Sequence, residues 1–226
     1  MLNEFRDLTP GERRLWLFSM AVIVASFALS GAGDWLSAIA SLIDVTALIF
    51  VAKGYVLGQV LTVVFAAFYG VISFFFRYYG EMITYMCMTA PIAVMAVVSW
   101  LRHPYKGSRE VTVQDVNRRQ VVTLTLWAVV TTAAFYFILR ALGTANLVVS
   151  TISVATSFVA SYLTFLRSPY YALAYAANDV VLIILWVLAA ITELSCLPMV
   201  LCFVMFLIND LYGFINWQRM RARQRA

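Results

Sequence analysis

Apolar positions in this chain fall into long unbroken runs, not into the half-apolar stripes of helices on a soluble protein. A helix that crosses the ~30 Å hydrocarbon layer needs about 20 mostly apolar residues. Eight stretches approach or meet that length: Leu15–Ser30, Trp35–Ala52, Val56–Phe76, Met82–Leu101, Gln120–Leu139, Ala145–Leu166, Tyr170–Ile191 and Leu194–Trp217. The breaks between them are short and carry Gly, Pro or charge, at Gly31–Asp34, Lys53-Gly54, Arg77–Glu81, Arg140–Thr144, Arg167–Pro169 and Thr192-Glu193. Only His103–Arg119 is long enough for a loop. The pattern predicts an all-α integral membrane protein with eight transmembrane helices. Ahead of the first span, Thr9-Pro10-Gly11-Glu12 reads as a helix start, with Thr9 as N-cap and Pro10 at the first helical position. The acidic residues there, and the lack of a small-residue cleavage site, argue against a secretory signal.

Composition agrees: 63% of the 226 residues are apolar, 12% are charged and mean hydropathy is +0.87. Such a chain has too few polar residues to cover itself in water, which excludes a cytosolic enzyme, a secreted disulfide scaffold and a disordered chain. Cys87, Cys196 and Cys202 sit inside apolar runs with no metal or redox spacing, so they read as small core residues. The net charge of +5 would fit nucleic acid, but the distribution of the basic residues explains it otherwise. With the N-terminus in the cytoplasm and the spans alternating, fourteen of the sixteen Lys and Arg residues fall inside and only Arg77 and Arg140 outside. That asymmetry is the positive-inside rule. It predicts that both termini are cytoplasmic and leaves no nucleic-acid partner to infer.

Two stretches about 114 residues apart resemble one another. Lys53 closes one span and Arg167 another; each is followed by an aromatic-bearing start to the next span, then an acid at the far end, Glu81 or Glu193, and finally a tryptophan before basic residues, Trp100 or Trp217. The expected organisation is therefore an amphipathic segment and extra helix (1–34), a three-helix repeat (35–101), a loop and connector helix (102–144), a second three-helix repeat (145–217) and a basic tail (218–226). One connector between two triplets makes the repeats parallel, an architecture of transporters that hold substrate between the halves near the midplane.

Ionisable residues inside a span are costly and face the bundle interior or a wet cavity. Here they are Asp44, Asp179 and Asp210, while every Lys and Arg lies at a span end or in a loop. On the seventh span Tyr175, Asp179, Leu182 and Trp186 share a stripe with Asn178 beside it; on the eighth, Asn209, Tyr212 and Asn216 share one and Asp210 and Trp217 its neighbour. The third span adds Gln59, Thr62, Tyr69 and Ser73, and the fourth Tyr85, Thr89 and the helix breaker Pro91. Amides offer both donor and acceptor, and aromatic faces stack on rings and attract cations. Together with acids that have no basic partner, they suit a flat, hydrogen-bonding, cationic ring on a sugar. The expected substrate contacts are Asn178, Asp179, Tyr175, Trp186, Asn209, Asp210, Gln59, Tyr69, Asp44 and Tyr212. Trp35, Trp100 and Trp217 read as interfacial anchors, and Asn216, Thr62 and Ser73 as bonds between helices.

Several motifs resemble the PnuC family of bacterial vitamin transporters: Asp34-Trp35-Leu36, Val51-Ala52-Lys53-Gly54, Tyr78-Tyr79-Gly80-Glu81-Met82, Asn178-Asp179 with Trp186, and Asn209 through Trp217. The resemblance runs from about Asp34 to the C-terminus. It implies a SWEET-like fold of two three-helix bundles, a homotrimer in the bacterial cytoplasmic membrane, and no cofactor. It also implies facilitated diffusion of nicotinamide riboside, a fixed pyridinium cation, trapped afterwards by a cytoplasmic kinase. Some positions depart from the family pattern: a Trp-x-x-Trp pair gives way to Ala172 and Tyr175, an asparagine to Phe65 and a glutamine to Ala93. Relatives with altered cavities resemble carriers of thiamine, riboflavin or deoxynucleosides. An intramembrane enzyme is disfavoured, because no His pairs with the acids and no HExxH, GxSxG or Ser/Lys pair lies in a span. A non-transporting scaffold is disfavoured by the short loop.

Overall fold

A computed structural model describes residues 4–30, 34–75, 79–144 and 146–226. The expected breaks at Gly31–Gly33 and Arg77-Tyr78, the span end Phe76 and the span start Ala145 lie outside the described residues. After a 3₁₀ turn at Phe5–Asp7 come α1 (Pro10–Ser30), α2 (Trp35–Ala52), α3 (Val56–Phe75), α4 (Tyr79–Thr84), a π-helical turn (Tyr85–Thr89) and α5 (Ala90–Leu101). Then follow α6 (Arg118–Ala141), α7 (Leu147–Phe165), α8 (Tyr171–Thr192) and α9 (Leu197–Arg225). Among the described residues eight helical segments, with α4 to α5 as one, are long and apolar enough to cross a membrane. Among the described residues no strand forms; two isolated bridges pair Tyr55 with Glu110 and Pro104 with Val111.

The helix ends follow local chemistry. Thr9 and Glu12 cap α1 reciprocally: the Thr9 N–H donates to Glu12 Oε2 at 2.7 Å and the Glu12 N–H to Thr9 Oγ1 at 3.3 Å. Asp34 accepts from the Ser37 N–H at 3.1 Å to start α2. Asn117 and Gln120 form a second reciprocal cap on α6. α2 stops where Gly54 takes φ +69°, and α7 stops at the matching place, where Arg167 takes φ +59°. Pro91 has no N–H to bond back up its helix, and the preceding turn is wound as a π-helix, so the fourth span runs as one helical segment with an irregular turn at Tyr85–Thr89.

Packing sets α3 between α2 and α5, and α8 between α7 and α9. These two groups join where α2 meets α9 and α5 meets α7, third helix of one against first helix of the other. α1 lies against α2 and α9 through Ile23, Val45, Cys202 and Phe206, and α6 packs on α7. Most of α6 is uncovered, with Val122, Leu126, Val129 and Phe137 more than half exposed; in hydrocarbon that is no penalty.

The end of the bundle that carries most of the arginines is more ordered than a free loop and tail would be. α9 runs on through the basic tail to Arg225. The loop backbone ties to both groups, with the Val111 N–H donating to Gly54 O at 2.9 Å and the Gln114 N–H to Arg167 O at 3.0 Å. Gln224 holds the loop twice, accepting from the Val113 N–H at 2.8 Å and donating to Val111 O at 3.1 Å. Arg223 pairs with Glu110, and Arg221 and Arg225 pair with Asp115. Val111, 1% exposed, shares a core with Trp217 and Met220.

That core overturns one expectation. Trp100 and Trp217 are 1% and 0% exposed, so they are central packing residues and not interfacial anchors. Trp35, 64% exposed, does lie on the outer surface.

Candidate binding cavity

A cavity of about 70 Å³, part of it open to the surroundings, lies between the two helix groups. α8 supplies one wall through a 3–4 residue spacing, Tyr171, Tyr175, Asn178, Asp179 and Leu182. α7 adds Ser157 and Ser161, one turn apart; α9 adds Phe203, Phe206 and Asp210. From the first group come Asp44 on α2, Gln59, Thr62 and Phe65 on α3, and Tyr85 and Thr89 from the two ends of the π turn. A narrower extension shares Gln59, Thr62, Thr89, Ser161 and Tyr175 and continues along Ala93, Ala96 and Thr164 toward the basic end.

The wall is polar in a specific way. Three of its side chains are carboxyls, from Asp44, Asp179 and Asp210, and no Lys, Arg or His lines it among the described residues. Asp179 and Asp210 are each 4% exposed and lie within hydrogen-bonding reach of one another. Asp179 Oδ2 is buried with no hydrogen-bond partner among the described residues. The neighbours are held: Asn178 Oδ1 accepts from Thr156 Oγ1 at 2.7 Å, and the Ser161 and Tyr175 hydroxyls are 3.0 Å apart. No set of three His, Cys, Asp or Glu side chains is placed to hold a metal ion among the described residues.

Aromatic layers bound the cavity above and below. Toward the basic end Tyr171, a wall residue, packs edge-on against Trp217 at 4.8 Å between centroids, and Trp217 against Trp100 at 5.5 Å. Toward the other end Phe65 and Tyr85, both wall residues, meet Tyr69, which is 4.7 Å from Tyr85.

Six of the ten sequence-derived site residues line this cavity: Asp44, Gln59, Tyr175, Asn178, Asp179 and Asp210. Four do not. Tyr69 sits behind Phe65 and Tyr85, its hydroxyl donating to Glu81 Oε2 at 2.8 Å. Asn209 is 1% exposed and turns to α1, donating to Ser19 Oγ at 2.9 Å and Met205 O at 2.8 Å. Tyr212 donates to Glu12 Oε1 at 2.8 Å, inside a cluster where Lys53 Nζ lies 2.9 Å from Glu12 Oε2. Trp186 lies two turns beyond Asp179 and packs with Ile23, Val45 and Phe203. Conversely Thr62, expected only to bond helices, lines the cavity. Ser157, Ser161 and Tyr171 were not singled out from the sequence, though a small-polar stripe on α7 and the one-turn spacing from Tyr171 to Tyr175 mark them.

Eight apolar helices around a buried polar hollow define a multi-pass membrane transporter, and comparison with known proteins agrees. Residues 34–219 match the family model described as nicotinamide mononucleotide transporter, and the chain belongs to that family. It is 27% identical over 214 residues to the nicotinamide riboside transporter PnuC of Neisseria mucosa, covering 92% of this chain and 81% of that protein. A crystal structure of the vitamin B3 transporter PnuC superposes with a TM-score of 0.81 at 26% identity, over 96% of this chain and 94% of the other. These relatives are transporters, and the chain is a carrier, not an enzyme.

Proposed function

We propose that the protein carries nicotinamide riboside across the bacterial cytoplasmic membrane by facilitated diffusion, with both termini in the cytoplasm. The observation that carries this reading is a cavity to which both helix groups contribute polar side chains, Asp44 and Gln59 from one and Asn178, Asp179 and Asp210 from the other. The likeness to the Neisseria mucosa riboside transporter supports the substrate, and the fourteen basic residues at one end support the orientation.

In this reading residues 35–101 and 145–217 are parallel repeats that rock against one another around the site. Tyr175 and Tyr171 stack on the nicotinamide ring, Asn178 and Gln59 hydrogen-bond its carboxamide and the ribose, and the carboxyls face its charge. The π turn and Pro91 supply the bend in the fourth span. In this reading net uptake depends on a cytoplasmic kinase that phosphorylates the product and removes it from the equilibrium. Function as a homotrimer belongs to the same reading.

Titration calorimetry of the purified protein with nicotinamide riboside, thiamine, riboflavin and deoxyadenosine tests the substrate. Saturable heat with the riboside and none with the others supports the proposal. Preference for another compound moves the assignment to that vitamin or nucleoside and leaves the carrier architecture standing.

A further inference from the structure

The loop after α5 does more than connect. It leaves the first helix group at Arg102 and doubles back as a hairpin, with the Tyr105 N–H donating to Glu110 O and the Thr112 N–H to His103 O, both at 2.8 Å. The strap that follows, Val111–Gln114, crosses two matching corners: Gly54, past the end of α2, and Arg167, past the end of α7. Each corner's carbonyl accepts from a strap N–H, and the Arg167 guanidinium also donates to Gln114 Oε1. Three residues of chain reach at most about 10 Å, so the strap limits how far the first helices of the two groups can part.

The tail of α9, from the second group, fastens this strap. Trp217, Met220 and Gln224 recur at a 3–4 residue spacing on one helix face; the first two share a core with Val111, and Gln224 bonds Val111 and Val113. Arg223 pairs with Glu110, and Arg221 and Arg225 with Asp115. Arg223 and Arg225 are more than half exposed, and exposed pairs are individually weak and screened by salt. Chain continuity through the hairpin holds the strap to α5, whereas noncovalent contacts alone hold it to α9. Residues 115–117 carry no regular structure and leave slack toward α6. The tail is therefore the side that lets go, on the same parting line where Trp217 meets Val51 O and Asn216 meets Ala52 O.

We propose that the strap and the α9 tail form an ionic latch over the basic end. Glu110 and Asp115 hold Arg221, Arg223 and Arg225 while the cavity is shut toward that end, and the pairs part each time it opens. The inference goes beyond the carrier reading and takes only its rocking motion from it. The latch sets how often that end opens, and ionic strength on that side tunes it.

Access is read on the full chain without any substrate, from the rate at which a membrane-impermeant maleimide on the basic side labels Ser161→Cys, with Cys87→Ala and Cys196→Ala in the background. Three forms are compared, each with a melting curve: Ser161→Cys alone, the same with Arg221→Gln, Arg223→Gln and Arg225→Gln, and a charge-swapped form with Glu110→Arg, Asp115→Arg, Arg221→Glu, Arg223→Glu and Arg225→Glu. The glutamine form should label about threefold or more faster than Ser161→Cys alone, and the charge-swapped form should return to the slow rate. Raising salt from about 0.05 M to about 0.5 M should speed the first and third forms and leave the glutamine form unchanged. If the glutamine form fails to fold, the salt response of Ser161→Cys alone decides. A rate indifferent to both charge removal and salt overturns the latch and leaves the carrier reading intact. Fast labelling that the charge swap does not reverse means lost packing and also overturns it. The expected pattern together with no binding of nicotinamide riboside in calorimetry upholds the latch and overturns the vitamin assignment. Absence of labelling in every form overturns the rocking motion and the latch with it.

Discussion

Trp100 and Trp217 close on one another at 5.5 Å between ring centroids, and each bonds across to the opposite helix group. The Trp100 indole N–H donates to Thr164 O near the end of α7, and the Trp217 indole N–H donates to Val51 O near the end of α2, both at 2.9 Å. The two tryptophans thus staple third helix to first helix twice, in the same way, directly below the cavity. In the proposed rocking motion, opening the cavity toward the basic end would break both bonds.

Replacing Trp217 by Phe keeps an aromatic ring but removes the indole bond to Val51 O, which retains only the Gly54 N–H. A net hydrogen bond is worth about 0.5–1.5 kcal/mol, so W217F shifts the balance toward the open form by roughly threefold to tenfold. A cysteine introduced at Ser161, on the extension toward that end, should react correspondingly faster with a membrane-impermeant maleimide applied from the basic side. An unchanged rate would mean that the staple does not control access.

Asn209 separates two roles that look alike in the sequence. Its bonds to Ser19 and Met205 tie α9 to α1, so Asn209→Ala should lower thermal stability and leave substrate affinity within about twofold, whereas Asn178→Ala should weaken binding several-fold. Melting curves and calorimetry on the two variants check this.

That contrast shows why the fold was more legible than the site. Hydrocarbon forces long apolar runs and pushes charge to the breaks, so spans, caps and the basic end follow from local pattern. Asp210 and Asn209 are adjacent, and one step along a helix turns a side chain by about 100°. Which of them meets substrate depends on the side of α9 that α1 covers, a tertiary fact. Trp186 shares the face of Asp179, but two turns further on that stripe reaches the packing of α1, α2 and α9. Trp100 and Trp217 stand before basic residues as anchors do, but their helix ends converge on the centre of the bundle, where burial replaces the interface.

The Glu12 cluster should behave as a buried ion pair. Side chains of Lys53 and Glu12 are 12% and 3% exposed, and Glu12 also accepts from Tyr212 and the Thr9 N–H. Lys53→Met leaves that carboxylate uncompensated and should cost about 3 kcal/mol, part of it recovered in the Glu12→Gln, Lys53→Met double variant. Arg109→Met, which breaks the exposed pair with Asp7, should cost no more than about 1 kcal/mol. Chemical or thermal denaturation in one detergent compares them.

Two glycines predict opposite outcomes. A Cβ at Gly58 would meet Val51 N at 2.4 Å and Ala47 O at 2.9 Å, backbone atoms of α2 that cannot step aside. Gly58→Ala should force α2 and α3 apart and cost about 2 kcal/mol or more. At Gly213 the nearest contact is the Tyr171 hydroxyl at 3.2 Å, a movable group. Gly213→Ala should stay within about 1 kcal/mol of the wild type, helped by its better helix propensity.

The most direct test is uptake of radiolabelled nicotinamide riboside into proteoliposomes with no kinase inside and no ion gradient. A fixed cation moving alone reaches electrochemical equilibrium, and one charge crossing 100 mV is worth about 2.3 kcal/mol. Saturable uptake should therefore stop at equal concentrations when the potential is clamped at zero, and should rise to about tenfold inside with roughly 60 mV, interior negative. Failure to see saturable uptake of the riboside, or accumulation at zero potential driven by a sodium or proton gradient, would contradict a passive carrier of this cation.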